Sequence, residues 1–218
     1  MKKLFFYCLV PLLLSACVNS PKIADKPESG GEPDGFYLVS GLEQLERSYV
    51  RSAEVFGSYK RIIYAPLSLS DLEIDDSRLD HSESWTLKDG DVENAQLHYS
   101  EQLTRVYQQD RNFQLVSDAS EGTLLVKMAL VKYRPNSPRD SFGDRSSGTQ
   151  FFSEGAGRLY MKTLISDALS GELLAVMEDD RELGSTWQED NRVNNVRRFK
   201  QGLNTWIVRI DKGLAKLK

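Results

Sequence analysis

Toward the C-terminus, Val196, Phe199, Leu203, Trp206, Ile210, Leu214 and Leu217 recur at intervals of three and four. That period puts apolar side chains on one face of an α-helix and predicts the strongest helix of the chain. Val92, Ala95, Tyr99, Leu103 and Val106 repeat the pattern from Asp91 to about Asp110 and predict a second helix. A looser version, Leu42, Leu45, Tyr49 and Val55, predicts a further helix within Gly35 to Val55. Elsewhere the period shortens. The apolar run Arg61 to Leu69 predicts a strand buried on both faces that bends or becomes an edge at Pro66. Phe113 to Val116 and Gly122 to Tyr133 predict two strands around the turn 117–122. In the second of these Leu124, Val126, Met128 and Leu130 share one face, and Lys127 and Lys132 interrupt the apolar pattern, so a sheet covered on one side is expected. Gly157 to Ser166 and Glu172 to Arg181 read as a hairpin. Its turn is Asp167-Ala168-Leu169-Ser170-Gly171, where Asp accepts turn amides and Gly supplies positive φ. Strands and helices alternate too irregularly for a doubly wound parallel sheet. The expected fold is α+β, a two-layer α/β sandwich with a mainly antiparallel sheet of about four or five strands and the helices on one face.

The N-terminus follows another logic. Lys2 and Lys3 precede the apolar run Leu4 to Leu14, which has eleven residues, whereas a bilayer span needs roughly 20. The run ends in Leu14-Ser15-Ala16-Cys17, which resembles the bacterial lipobox. The resemblance implies a signal peptide over 1–16 that is cut before Cys17, and a Cys17 that carries the lipid. Two or three acyl chains hold a protein stably where one holds it only reversibly. Val18 stands where Asp would retain such a lipoprotein in the inner membrane, so the expectation is an outer-membrane, lipid-anchored protein whose domain faces the periplasm, given a source with two membranes. Residues 17–35, with Pro21, Pro27, Pro33, Gly30 and Gly31, read as a lipidated N-terminus and flexible tether reaching roughly 20–25 Å. Residues 36–218 read as a single α/β domain.

Composition removes several functions. The chain has 218 residues and two Cys, of which Cys8 leaves with the signal and Cys17 takes the lipid. No thiol then remains for a disulfide, a metal or a nucleophile. Without the signal the balance is 26 basic against 32 acidic residues, which offers nucleic acid no attraction. The two His, His81 and His98, lack metal-ligand spacing. Asp71, Glu73, Asp75 and Asp76 alternate as in a calcium loop, but Asp76 stands where such a loop needs Gly and Ser82 where it needs Glu, so a solvated acidic loop is the better reading. No cofactor is expected and the chain is not expected to be an enzyme. Glu154 is the one acid to watch.

Two stretches offer surfaces for partners. Arg134 to Ala156 is long, rich in Pro, Gly and Ser, and carries Phe142, Phe151 and Phe152; loops beyond about 12–15 residues are usually functional or disordered. The C-terminal helix carries Arg197 and Arg198 among many cations, which suit either anionic headgroups or a solvated face with favourable charge at a helix C-terminus.

Three segments together resemble the bacterial lipoproteins grouped as domain of unknown function 3313. They are Tyr59-Lys60-Arg61-Ile62-Ile63-Tyr64-Ala65-Pro66, then Gly155-Ala156-Gly157 leading into Ile165 to Ala175, and the terminal Trp206 helix. The order of these pieces carries the resemblance. Ala65 replaces an Asp common in the family and Ser170 replaces a Thr, and the family supplies no catalytic residues to transfer. The resulting expectation is an envelope lipoprotein acting as a tethered accessory or scaffold. It would contact an envelope protein or cell-wall polymer through Phe142, Phe151, Phe152, Arg197 and Arg198. The alternative is a periplasmic hydrolase or a lipid or small-ligand carrier.

Overall fold

The computed structural model describes residues 20–29, 33–42, 44–52, 55–79, 85–109, 111–137 and 152–218. In chain order the elements are β1 (Lys22–Ile23), β2 (Tyr37–Ser40), β3 (Arg47–Val50), a 3-10 turn (Val55–Ser58), β4 (Arg61–Tyr64), β5 (Glu73–Ile74), α1 (Asp91–Tyr107), β6 (Gln114–Leu115), β7 (Thr123–Pro135), β8 (Phe152–Glu154), β9 (Gly157–Asp167), β10 (Leu173–Glu182), β11 (Trp187–Glu189) and α2 (Arg192–Lys216). Nine strands form one sheet in the order β1-β2-β3-β10-β9-β7-β4-β6, with β5 on β7; β8 and β11 make a separate two-stranded ribbon. The α+β class and the mainly antiparallel sheet expected from the sequence are present.

Three long strands, β7, β9 and β10, carry the sheet. Along β9, Gly157, Leu159, Met161, Thr163 and Ile165 are buried while their alternates are half-buried. This period-two burial is what a sheet with one fully covered face requires. The core on the covered face also contains Val126, Met128, Leu130 and Met177 of the sheet, Tyr99 and Leu103 of α1, and Leu203, Trp206, Ile207, Ile210 and Leu214 of α2. Asp179 of β10 is a polar pin in it. Its carboxylate accepts from Trp206 Nε1 at 2.8 Å, Arg209 at 3.2 Å and the Glu46 amide at 3.2 Å, so a buried charge is paired rather than stranded. The other face holds a small cluster of Phe36, Tyr49 and Val176, with Leu38, Leu164 and Leu173 packed against it.

Four expectations are corrected. The proposed helix within Gly35 to Val55 is the hairpin β2–β3, with β3 paired antiparallel to β10 through Ala175↔Val50 and Met177↔Ser48. Positive φ at Gly41 and Gln44 breaks any helix there, and pairing to a long central strand outweighs a weak helical period. The strands at 113–116 and 122–133 do not pair with each other. β4 lies between them, parallel to both, and α1 is the crossover that such parallel neighbours need. Nine strands replace four or five, because two- and four-residue edge strands leave too short a pattern to recognise. Finally, the tether is not free throughout: Lys22–Ile23 pairs with Val39–Ser40, and the Glu28 amide donates to Phe36 O at 2.8 Å.

Candidate functional site

A groove of about 510 Å³ opens at the end of the sheet where β7 finishes and β9 begins. Both helices present their first two turns to it: Asp91, Asn94, Ala95 and His98 of α1, and Arg192, Asn195, Val196 and Phe199 of α2. Leu130 and Tyr133 of β7, Leu159 of β9, Ala156 and Leu183 form the sheet side, and Leu69, Leu72, Trp85 and Leu87 the wall from the segment between β4 and α1. The interior is therefore aliphatic and aromatic, while Lys88, Asp89, Asp91, His98 and Arg192 add charge or titratable groups. Ligand pockets of 300–1,000 Å³ commonly combine apolar walls with a few polar groups in this way.

Local sequence builds each wall. Trp85 packs edge-on against Tyr133 with ring centroids 5.0 Å apart, and its amide donates to Asp76 at 3.0 Å. Asp75 fastens the same segment to β7: it accepts from Ser77 at 2.6 Å, from Arg134 at 2.9 Å and from Lys132 at 3.3 Å. The Ser77 hydroxyl and the Arg134 guanidinium hold its carboxyl well below the usual carboxylate range. The acidic residues that suggested a cation loop thus serve as clasps, with Glu73 bonding Lys132 at 2.9 Å. Gly157, at φ +123, lets β9 start against β7; a Cβ there would lie 2.4 Å from Arg134 O. Asn191 caps α2 by accepting the Asn194 amide at 2.9 Å, whereas Gly90 gives α1 no side-chain cap. His98 sits 3.4 Å from Glu101, which also binds Lys200 at 2.7 Å. The Lys200 ammonium holds the Glu101 carboxyl below its ordinary range. A second hollow of about 510 Å³, beyond the C-terminal end of α1, is wide open and lined mainly by Gln, Asn, Thr and Arg side chains.

The sequence candidates separate. Cys17, Phe142, Phe151 and His81 lie outside the described residues. Phe152 is 56% exposed on β8, and its ribbon neighbour Trp187 is 70% exposed; the register Trp187↔Glu154 and Glu189↔Phe152 puts these four residues on one face. Val193, 77% exposed, follows a few residues on at the start of α2. Arg197 is exposed and donates to Gln188 at 2.6 Å. Arg198 is a correction: it is 3% exposed and cannot contact a partner. Its guanidinium donates to Ser153 O, Thr186 O and Asn195 Oδ1, each at 3.1 Å, and so staples α2 to the ribbon and to the turn after β10. Glu154 is exposed on the ribbon, where its backbone O accepts from Asn136 Nδ2 at 2.9 Å. The groove itself was not anticipated. Its walls come from six separated segments, and the only sequence signal was that Val196 and Phe199 extend the α2 stripe beyond the part that fills the core.

Fold and site together define an α+β domain with one covered sheet face and an open apolar groove at the N-terminal ends of its two helices. The chain belongs to the family described as "Protein of unknown function (DUF3313)", whose model matches residues 35–210. Among solved structures it is similar to the PelC dodecamer from Paraburkholderia phytofirmans, at 8% identity and a TM-score of 0.32, covering 68% of this chain and 87% of that one. A variant of the same dodecamer gives 9% identity and a TM-score of 0.31, covering 68% and 86%. No curated protein matches the chain. No helix among the described residues is long and apolar enough to cross a membrane.

Proposed function

We propose that the domain is a non-catalytic binding module, and that its ligand is a small molecule with an apolar portion received by the groove. One observation carries this reading: about 510 Å³ of space walled by Leu, Val, Phe, Trp and Tyr, with its charged groups confined to a few positions. The lipobox supports an anchor at Cys17, which would hold such a module at a membrane; fractionation of cells making Cys17→Ser tests that part, and a variant that stays membrane-bound and correctly processed would refute it. The groove is tested with 1-N-phenylnaphthylamine, whose fluorescence rises in apolar surroundings. The chain should bind it saturably, and Ala95→Trp, which fills the groove from α1, should abolish binding with the circular dichroism spectrum unchanged. Leu87→Asp, at the more exposed wall, provides a second variant. Binding that neither substitution weakens would refute the groove as the site.

A second reading has its own observation. Phe152, Trp187 and Val193 are large, apolar and exposed, as in a surface that meets another macromolecule. This supports the accessory role with an envelope partner. A photoreactive residue at Phe152 should yield a specific adduct in intact cells, one that Trp187→Ala removes.

A further inference from the structure

The exposed surface of the second reading can be given an occupant, on the basis of that reading and of the anchor at Cys17. We infer that the end of the sheet carrying the β8–β11 ribbon lies on the membrane, with Trp187, Phe152 and Val193 set into the lipid interface. The direction of the chain is the first support. β1 pairs antiparallel with β2 through Lys22↔Ser40 and Ile23↔Val39, β2 with β3 through Leu38↔Tyr49, and β3 with β10 through Met177↔Ser48 and Glu178↔Arg47. Followed across these ladders, the step from Ile23 back to Lys22 runs the same way as β10 from Met177 to Glu182. The chain upstream of β1 is therefore led toward the end of the sheet where β10 stops and β9 starts, and Pro21 sits beside Gly41 just past β2. The ribbon is at that same end. β8 joins the start of β9 through Gly155 and Ala156, and β11 follows the end of β10 after residues 183–186. Reach makes the direction matter: five residues lead from Cys17 to Lys22, and at about 3.6 Å for each a lipid on Cys17 is held within about 18 Å of β1. Three strand spacings, about 14 Å, separate β1 from β10. So short a lead brings this end of the domain to the bilayer.

Surface chemistry is the second support. Trp187 and Phe152 share one face of the ribbon, and Val193 is exposed at the start of α2. An exposed indole gains at a lipid interface, where its ring meets acyl chains while its N–H keeps a polar partner. The charges beside these residues balance, Arg192 and Arg197 against Glu154 and Glu189, so the attraction is apolar and needs no anionic lipid.

The full chain, purified from cell membranes and reconstituted into phosphatidylcholine vesicles, tests the orientation. Once Cys17 is acylated the mature chain has no free thiol, so a nitroxide can be attached at Val193→Cys and, in the turn at the opposite end of the sheet, at Leu169→Cys, a position 63% exposed in the parent. The label at 193 should be relaxed strongly by oxygen and weakly by a water-soluble nickel chelate, and the label at 169 the reverse. Lipids brominated near the head-group end of the acyl chain should quench the parent's fluorescence. Trp187→Leu should remove most of that quenching, since Trp206 is fully buried and Trp85 packs on Tyr133. Each substitution replaces an exposed side chain, so the variants should melt with the parent. Equal accessibility of the two labels, or quenching that Trp187→Leu leaves intact, overturns the membrane face. Quenching that requires anionic lipid or vanishes at high salt also overturns it, because surface charge would then do the binding. A Cys17 that carries no lipid by mass spectrometry removes the reach on which the orientation depends and overturns it as well. A photoreactive residue at Phe152 separates this failure from that of the underlying reading. A protein adduct in cells without quenching in vesicles keeps the contact surface and discards the lipid; neither adduct nor quenching discards both.

Discussion

The two halves of α2 obey one amphipathic period and end in different surroundings. From Leu203 onward Leu203, Trp206, Ile207, Ile210 and Leu214 are fully buried in the core, with Asp179 pinning the indole. In its first two turns Val196 and Phe199 keep the same stripe but are only half-buried, because the surface opposite them is the groove rather than β10. A periodic stripe specifies which face is apolar. What that face meets depends on where strands from distant parts of the chain stop.

This contrast can be broken by substitution. Trp206→Ala should cost about 3–5 kcal/mol in denaturant unfolding, since it opens a cavity and removes a donor from Asp179. Phe199→Ala should cost about 1 kcal/mol, in keeping with a side chain already half exposed, and should weaken probe binding instead. Equal losses at the two positions would abolish the distinction. Next in size is Arg198→Ala, which strands the Ser153 and Thr186 carbonyls and should cost about 2–3 kcal/mol, while the neighbouring Arg197→Ala should stay within about 0.5 kcal/mol.

Acid and alkali should act at opposite ends of the sheet. The Asp75 carboxyl beside the groove is held below its ordinary range by Ser77 and Arg134, so its contribution is complete above the unfolded value of about 4 and is lost as pH falls toward the folded value. Asp75→Asn should shrink the difference in denaturant midpoint between pH 7 and pH 3; an unchanged difference would dismiss the clasp. At the far end, burial, reinforced by the hydrogen bond to Asp167 at 3.0 Å, pushes the Tyr59 hydroxyl up to about 12. Its contribution is complete below about pH 10 and fades as pH rises through 12. Tyr59→Phe should flatten the alkaline limb of the stability curve, the smallest effect of the set.

Much of the framework was legible because it is local. The stripe of α2, the alternation of β7 and the Asp167 to Gly171 turn each lie within one stretch of chain. In the turn, the Asp167 carboxylate accepts the Leu169 and Ser170 amides at 3.0 and 2.7 Å, the arrangement that Asp-to-Gly spacing implies. The family resemblance rested on the same local pieces in order. Less legible was any residue whose role depends on a distant partner. Arg198 and Arg197 are adjacent and chemically identical, yet one is buried among carbonyls of β8 and Thr186 while the other faces solvent.

By itself, then, the sequence determined the periods, the turns and the class of fold, since these follow from which side chains neighbour each other every two or every three to four residues. Only the tertiary structure decided that β4 stands between β6 and β7, that β2 and β3 are strands, and that six segments leave a groove where both helices begin. Each of these is a long-range pairing whose energy comes from surfaces far apart in the chain, and a one-dimensional pattern records only that such a surface exists and leaves open what covers it.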